Sequence, residues 1–293
     1  MSFDSGIISA MTKASHTRQS VAEIIAARFV ASFDSGVAPW TRGFQISAPI
    51  NLVSKKAYRG INFFLLSMLG VDAAMTYNQA QAAGGQVRKG AKGIPVVFWN
   101  WIAKDKANPQ GEKIPFMRYY TVFSVADIDG VTFERPAVNT DAKEQTAETL
   151  FADIQKRAGF TLKMGDNQPC FVPATNEIQM PSFERYESAA RYYKTLFHEC
   201  GHALGKVTGK TFGFHGEAYA TEELIAELFA AVMLSKLGIN SPDCWDNSVA
   251  YVQGWAKKLG SEPQVVISAA QECQKRVDLV FGKADAEGDE SAD

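Results

Sequence analysis

Residues 191–206 read RYYKTLFHECGHALGK, and within them His198, Glu199 and His202 stand in the order H-E-x-x-H. The surrounding apolar residues recur at helical spacing, which predicts a helix from Ser188 to Leu204 stopped by Gly205. Residues four apart on a helix share a face, so both imidazoles can direct a nitrogen at one ion while Glu199 comes round beside them. The chain holds only 4 His in 293 residues, and two of them fall in this pentapeptide. Random placement at this composition produces the pattern in roughly two to three chains per thousand, so incidental histidines are the weaker explanation.

A catalytic zinc site usually takes three protein ligands and leaves a fourth place for water, whose pKa the ion lowers to about 7. Glu199 is then the carboxylate placed to remove that proton. The third ligand is sought downstream, in YATEELIAELFAAVML (219–234), where a second helix is predicted over Thr221–Leu237. Glu223 and Glu227 are four apart there and share a stripe with Ala226, Ala230 and Ala231, small residues that permit close helix approach. Glu223 is therefore assigned as ligand, and Glu227 as acceptor for the far nitrogen of a liganding histidine. Glu222 is the alternative ligand, on a stripe with Ile225 and Phe229 but no supporting carboxylate. The ligand set suits Zn2+ or another divalent metal such as Mn2+. Cys200 points away from both histidines on the helical wheel and reads as core.

The rest of the chain sets this helix pair in context. Its length and 46% apolar content suit two domains. Residues 1–135 carry 15 basic against 9 acidic side chains and the remainder 15 against 23, so the net charge of -2 hides two modules of opposite sign. A polar, turn-forming stretch at 130–146 places the boundary, giving modules at 1–135 and 136–282, followed by an acidic tail, 283–293, expected to be disordered. No run approaches the ~18 apolar residues of a bilayer span, and the N-terminus lacks the order of a secretion signal, so a cytoplasmic protein is expected. The four cysteines form no C-x-x-C pair, which argues against a zinc knuckle or a disulfide framework.

In the first module an amphipathic helix is predicted over 17–34, then helices at INFFLLSMLG and NQAQAAGG. A hairpin follows, from IPVVFWNWIA (94–103) and FMRYYTVFSV (116–125). In the second, a helix at 143–158, a turn and short strand in PATNEIQMP, the two long helices and a further helix opened by Ser241-Pro242 are expected. The fold class is α+β: an α+β module followed by a mostly helical module with a small sheet.

Basic residues cluster at SKKAYRGIN and GGQVRKGAKG, with Trp40, Tyr58, Phe63, Phe64, Tyr77, Trp99 and Trp101 nearby in sequence. Basic groups that track phosphates, together with aromatic faces for bases, are what single-stranded nucleic acid requires. Solvated lysine turns and core phenylalanines have the same composition, so composition alone leaves both readings open.

Two resemblances narrow the choice. HECGH with EELIAELFAA resembles gluzincin-type zincin metallopeptidases, which implies that the strand in NEIQMP borders the cleft and can pair with an extended peptide. The resemblance also implies an oxyanion stabiliser, for which His215 and Tyr219 are the available donors and Tyr219 the better placed. APW, NLVSKKAYRGIN, TYNQAQAAGGQVRKGAKG and VVFW resemble the N-terminal single-stranded-DNA-binding domain of ArdC-type antirestriction proteins, a domain joined in that family to a zincin domain. That similarity covers about Ser20 to Leu237. It implies a conjugative-plasmid protein that enters or acts in a bacterial recipient cell, binds single-stranded DNA and protects incoming DNA from host restriction; a protein of the host restriction system is the candidate substrate of the peptidase site. The implied DNA contacts are Lys55, Lys56, Tyr58, Arg59, Arg88, Lys89 and Lys92, with Trp40 either stacking on a base or anchoring its loop, while Asn62 and Gln79 are candidates for holding loops. A non-enzymatic protection factor with a structural or vestigial metal site is the alternative. A DNA mimic would need a long acidic surface, and a two-metal nuclease would need more carboxylates than this site offers.

Overall fold

The computed structural model describes residues 20–34, 48–104, 108, 110–134, 143–165, 168–209, 217–239 and 261–282. The fold is α+β, as the patterning implies. Helix α1 (Val21–Asp34) opens with a reciprocal cap, in which Glu23 N donates to Ser20 Oγ (3.2 Å) and Ser20 N to Glu23 Oε2 (2.6 Å). Strands β1 (Ile50–Asn51), β2 (Ala73–Thr76), β4 (Ile94–Ala103) and β5 (Lys113–Ser124) form a sheet in the order β1-β2-β5-β4. Its β4–β5 hairpin is the one the sequence predicts, in register from Ile94↔Val122 to Ala103↔Lys113. Helix α2 (Gly60–Met68) follows β1, and helix α3 (Tyr77–Ala82) is capped by Thr76 and Gln79. A small pair, β3 (Gln86–Val87) with β6 (Ile128–Asp129), completes this part.

After α4 (Lys143–Ala158), strands β7 (Thr161–Met164), β8 (Cys170–Val172) and β9 (Glu177–Met180) form a sheet in the order β7-β9-β8. The strand in NEIQMP, expected to pair with a peptide, is therefore the middle one: β7 lies parallel on one side and β8 antiparallel on the other. Both of its hydrogen-bonding edges are taken, so strand addition cannot occur on β9. The edge that packs beside the motif helix is β8.

The motif helix is α5 (Ala189–Val207), with Ser188 as N-cap accepting from Arg191 N at 3.3 Å. It runs past Gly205, which is buried within it. The stop is Gly209, whose φ of +78° supplies the left-handed residue that ends a helix without a Cβ clash. Helix α6 (Glu217–Leu237) begins four residues earlier than expected, and α7 (Gln264–Phe281) closes the described chain. Trp40, His215, the helix expected at Ser241-Pro242 and the acidic tail lie outside the described residues.

The core runs without a break from α1 and α2 through α7 to α5 and α6. Ile25, Phe29, Phe64, Val266, Ala270, Phe197 and Phe229 all belong to one apolar cluster. α7 thus touches both parts, and its polar side chains reinforce the junction. Asp278 pairs with Arg59, and Gln274 Oε1 accepts from Gly60 N at 2.8 Å.

Helices α5 and α6 meet at Gly201. A Cβ there would lie 3.1 Å from Ala226 Cα and 3.4 Å from Ala226 Cβ and Phe229 Cδ1, which explains the small residues on the facing stripe. Gly201→Ala is expected to cost about 1–3 kcal/mol by forcing the helices apart. Denaturant unfolding checks the cost, and because His202 and Glu223 sit on opposite sides of that seam, metal affinity should fall with it.

Candidate metal centre

The periodicity of α5 and α6 brings three ligand atoms together. His198 Nε2 and His202 Nε2 are 3.2 Å apart, and Glu223 offers Oε2 at 3.4 Å to the first and Oε1 at 3.5 Å to the second. Three ligand atoms on a tetrahedral ion with bonds of about 2.0–2.1 Å lie about 3.3–3.4 Å from one another, so the donor set fits a divalent metal without rearrangement. Glu199, one residue from His198, is buried at 6% exposure; no hydrogen bond or ion pair holds it among the described residues.

Each histidine is also held from behind. Glu222 Oε1 accepts from His202 Nδ1 at 3.2 Å. Glu227 Oε1 stands 3.2 Å from His198 Nδ1, within ion-pairing distance though outside hydrogen-bond geometry. Both carboxylates are in turn matched by a cation, partly buried at Lys194 and fully buried at Arg276. Lys194 Nζ donates to Glu227 Oε1 at 2.6 Å, and Arg276 grips Glu222 through Nη1–Oε1 and Nη2–Oε2, both 2.7 Å. Glu222, the alternative ligand, thus has both oxygens engaged elsewhere. The Tyr219 hydroxyl hydrogen-bonds the Glu223 carboxylate, so this phenol touches the ligand itself.

The charges follow from this packing. Burial favours neutral carboxyls, but the His198 hydrogen bond outweighs it at Glu223, and the Lys194 charge with His198 holds Glu227 down at about 2. Burial likewise disfavours a charged His198, yet Glu223, Glu227 and the Glu199 charge prevail and hold its pKa up at about 10. A metal must displace that proton. Uptake at neutral pH is therefore expected to release about one proton from His198, and apparent affinity to rise with pH; calorimetry in buffers of different ionisation enthalpy measures the release. Burial pushes the Cys200 thiol well above its ordinary value, as befits a packing residue.

Of the basic candidates, Lys55, Lys56, Lys89 and Lys92 are exposed. Two expectations are corrected. Tyr58 is 2% exposed and packs in the core, so it offers no face to a base. Arg59 is half-buried and tied to Asp278, a structural duty at the junction with α7. Arg88 is exposed but bound to Asp129 Oδ1 at 2.7 Å and to the Ala126 carbonyl at 3.1 Å. Lys55 and Lys56 follow edge strand β1, Arg88 follows β3 of the small β3–β6 pair, and Lys92 shortly precedes β4 at the other edge of the four-stranded sheet. In this part of the chain, the exposed aromatics among the described side chains include Tyr77 and, at 59%, Tyr119. Asn62 is buried and bridges to Val97, accepting from its N and donating to its O, both at 2.7 Å; Gln79 accepts from Asn51 Nδ2 at 3.1 Å.

The sequence reading missed Lys194, Arg276 and Tyr186. Lys194 stands four residues before His198, a spacing that signals it. Arg276 lies on a helix signalled by Val266, Ala270, Cys273, Val277 and Val280 at helical intervals. Tyr186 lies near enough to Glu199 for that charge to act on its hydroxyl, and burial is the main cause of its pKa of about 12. Nothing in its local sequence marks it.

A two-helix centre of this kind, with H-E-x-x-H on one helix and a glutamate ligand position on the next, defines a zincin-like protein. Comparison with known proteins agrees: residues 145–272 match the zincin-like metallopeptidase family, and residues 19–123 match the N-terminal domain of anti-restriction factor ArdC. The crystal structures of the antirestriction protein ArdC from plasmid R388, metal-free and Mn(II)-bound, superpose with TM-scores of 0.70 and 0.71 at 30% identity, covering 90% of this chain and 97% of that one. The chain belongs to the ArdC antirestriction family. It is also 32% identical to the uncharacterized protein y4eC of Sinorhizobium fredii (strain NBRC 101917 / NGR234), over 94% of this chain and 96% of that protein. DNA primase TraC of Escherichia coli is 32% identical over 88% of this chain, which spans only 20% of that relative's length. No helix among the described residues is long and apolar enough to cross a membrane.

Proposed function

We propose that the protein is a single-stranded-DNA-binding antirestriction factor that hydrolyses a peptide bond in a host restriction-system protein at its metal centre. The observation that carries the catalytic half is the convergence of His198 Nε2, His202 Nε2 and Glu223 at 3.2–3.5 Å beside a buried, uncommitted Glu199. Zn2+ is the preferred occupant, with Mn2+ as the other candidate. When bound, such an ion supplies Lewis acidity, polarising a carbonyl and bringing the pKa of water to about 7. Glu199 accepts the proton of the attacking water on its carboxylate and returns it to the leaving amide nitrogen. Tyr219 orients the Glu223 carboxylate and is the phenol available to the developing oxyanion. An extended peptide would add to the outer edge of β8. Residues 1–135 serve as the DNA module and 136–282 as the peptidase module, with the protein acting in the cytoplasm of the cell that receives DNA.

Chelation of the metal should abolish cleavage of a restriction-system protein, and re-addition of Zn2+ or Mn2+ should restore it. Cleavage that survives chelation removes the catalytic reading. For the DNA half, the four exposed lysines give an expected slope of log affinity against log salt of about -2.8, from about -0.7 per phosphate contact on single strands. Exchanging Lys89 and Lys92 together for Ala should make it shallower by about 1.4, equally for all sequences. A salt-independent affinity would contradict a backbone-tracking surface.

A further inference from the structure

The metal centre draws on a third helix. Arg276 of α7 is 0% exposed, and both of its terminal guanidinium nitrogens bond at the site, while Nε makes no hydrogen bond among the described residues. Nη1 and Nη2 take both oxygens of Glu222, and Nη1 also donates to the Gly201 carbonyl at 3.0 Å, within the H-E-x-x-H turn itself. Glu222 in turn accepts from His202 Nδ1. We propose that Arg276 is a positioning residue of the metal centre, fixing the ring of His202 through Glu222 and keeping Glu222 out of the ligand set.

The geometry supports this in two ways. A carboxylate next to the ligand Glu223 is a competitor for the ion, and a two-pronged hold is the arrangement that removes both of its oxygens from competition. The same hold fixes Glu222 as acceptor for Nδ1–H, which leaves Nε2 of His202 with its lone pair facing His198 and Glu223. One residue therefore sets ring orientation, ligand identity and the position of the motif backbone. Lys194 stands in the corresponding place on the His198 side, donating to Glu227 Oε1 at 2.6 Å.

The inference rests on the metal-site reading, and the test separates the two. Full-length Arg276→Lys keeps the charge but loses the two parallel bonds. Arg276→Met combined with Glu222→Leu removes both charges together, so no unpaired buried charge threatens the fold. Co2+ affinity is measured by chelator competition, with the visible Co2+ spectrum and near-UV circular dichroism recorded for each protein. Both variants should retain native circular dichroism, bind Co2+ about 10–100-fold more weakly and show a changed ligand-field spectrum, with the lysine variant less affected. A merely structural arginine would alter unfolding without altering the spectrum of the bound ion. Native affinity and spectrum in either variant overturn the inference. Failure of the native protein to bind Co2+ overturns the metal-site reading and this inference with it.

Discussion

Glu199→Gln protein should take up a divalent ion as the native protein does and lose peptide hydrolysis by a factor of about 10²–10⁴, the range for removal of a positioned general base. The amide has nearly the same volume, so the buried site keeps its packing, and no ligand is touched, since the three converging atoms belong to His198, His202 and Glu223. What disappears is a carboxylate able to accept a proton. A centre whose metal only braced the fold would show no such sensitivity, because nothing among the described residues uses Glu199 as a structural partner. The measurement is plasmid transfer into a restricting host carrying the native or the variant protein. Protection lost with metal content unchanged supports proteolysis; protection retained identifies a DNA-binding protection factor instead.

Exchanging the two adjacent glutamates should have opposite signatures. Glu223→Gln should reduce metal affinity by at least about 100-fold, because a neutral amide is a poor ligand for a divalent ion and only two imidazoles remain. Added metal should then no longer raise the melting temperature, since stabilisation by a ligand follows its affinity for the folded state. Glu222→Gln should instead destabilise the metal-free protein by about 3–5 kcal/mol, because it strands the buried Arg276 guanidinium, while reducing metal affinity by only about 10–100-fold. The pair of measurements, metal titration and unfolding, distinguishes ligand from support at neighbouring positions. If the signatures are exchanged, Glu222 is the ligand.

Much of this centre could be read in the residues before any coordinates. Helical spacing places His198 with His202 and Glu223 with Glu227, and local periodicity is the property a sequence displays most directly. The alanine stripe on α6 likewise announced close packing, and Gly201 is where that packing happens. Elements that depend on distant partners were not legible. Arg276 is 54 residues from Glu222 along the chain, and only folding makes them neighbours. The middle position of β9 is a fact of strand order, which the strand's own four residues do not encode. Gly205 illustrates a competing rule: a glycine inside a helix ends it only when nothing needs the space, and here the helix continues to a glycine that adopts positive φ. Among the DNA-contact candidates, composition could not distinguish the exposed Lys55 and Lys56 from Tyr58 in the core or from Arg59 joined to α7.

Anomalous diffraction at the metal edge, from crystals grown with Zn2+ or Mn2+, tests the centre most directly. The account predicts one ion within about 2.0–2.2 Å of His198 Nε2, His202 Nε2 and a Glu223 oxygen, with Glu222 still on Arg276 and one coordination position open to solvent. An ion ligated by Glu222, or no anomalous peak between the two imidazoles, would contradict it.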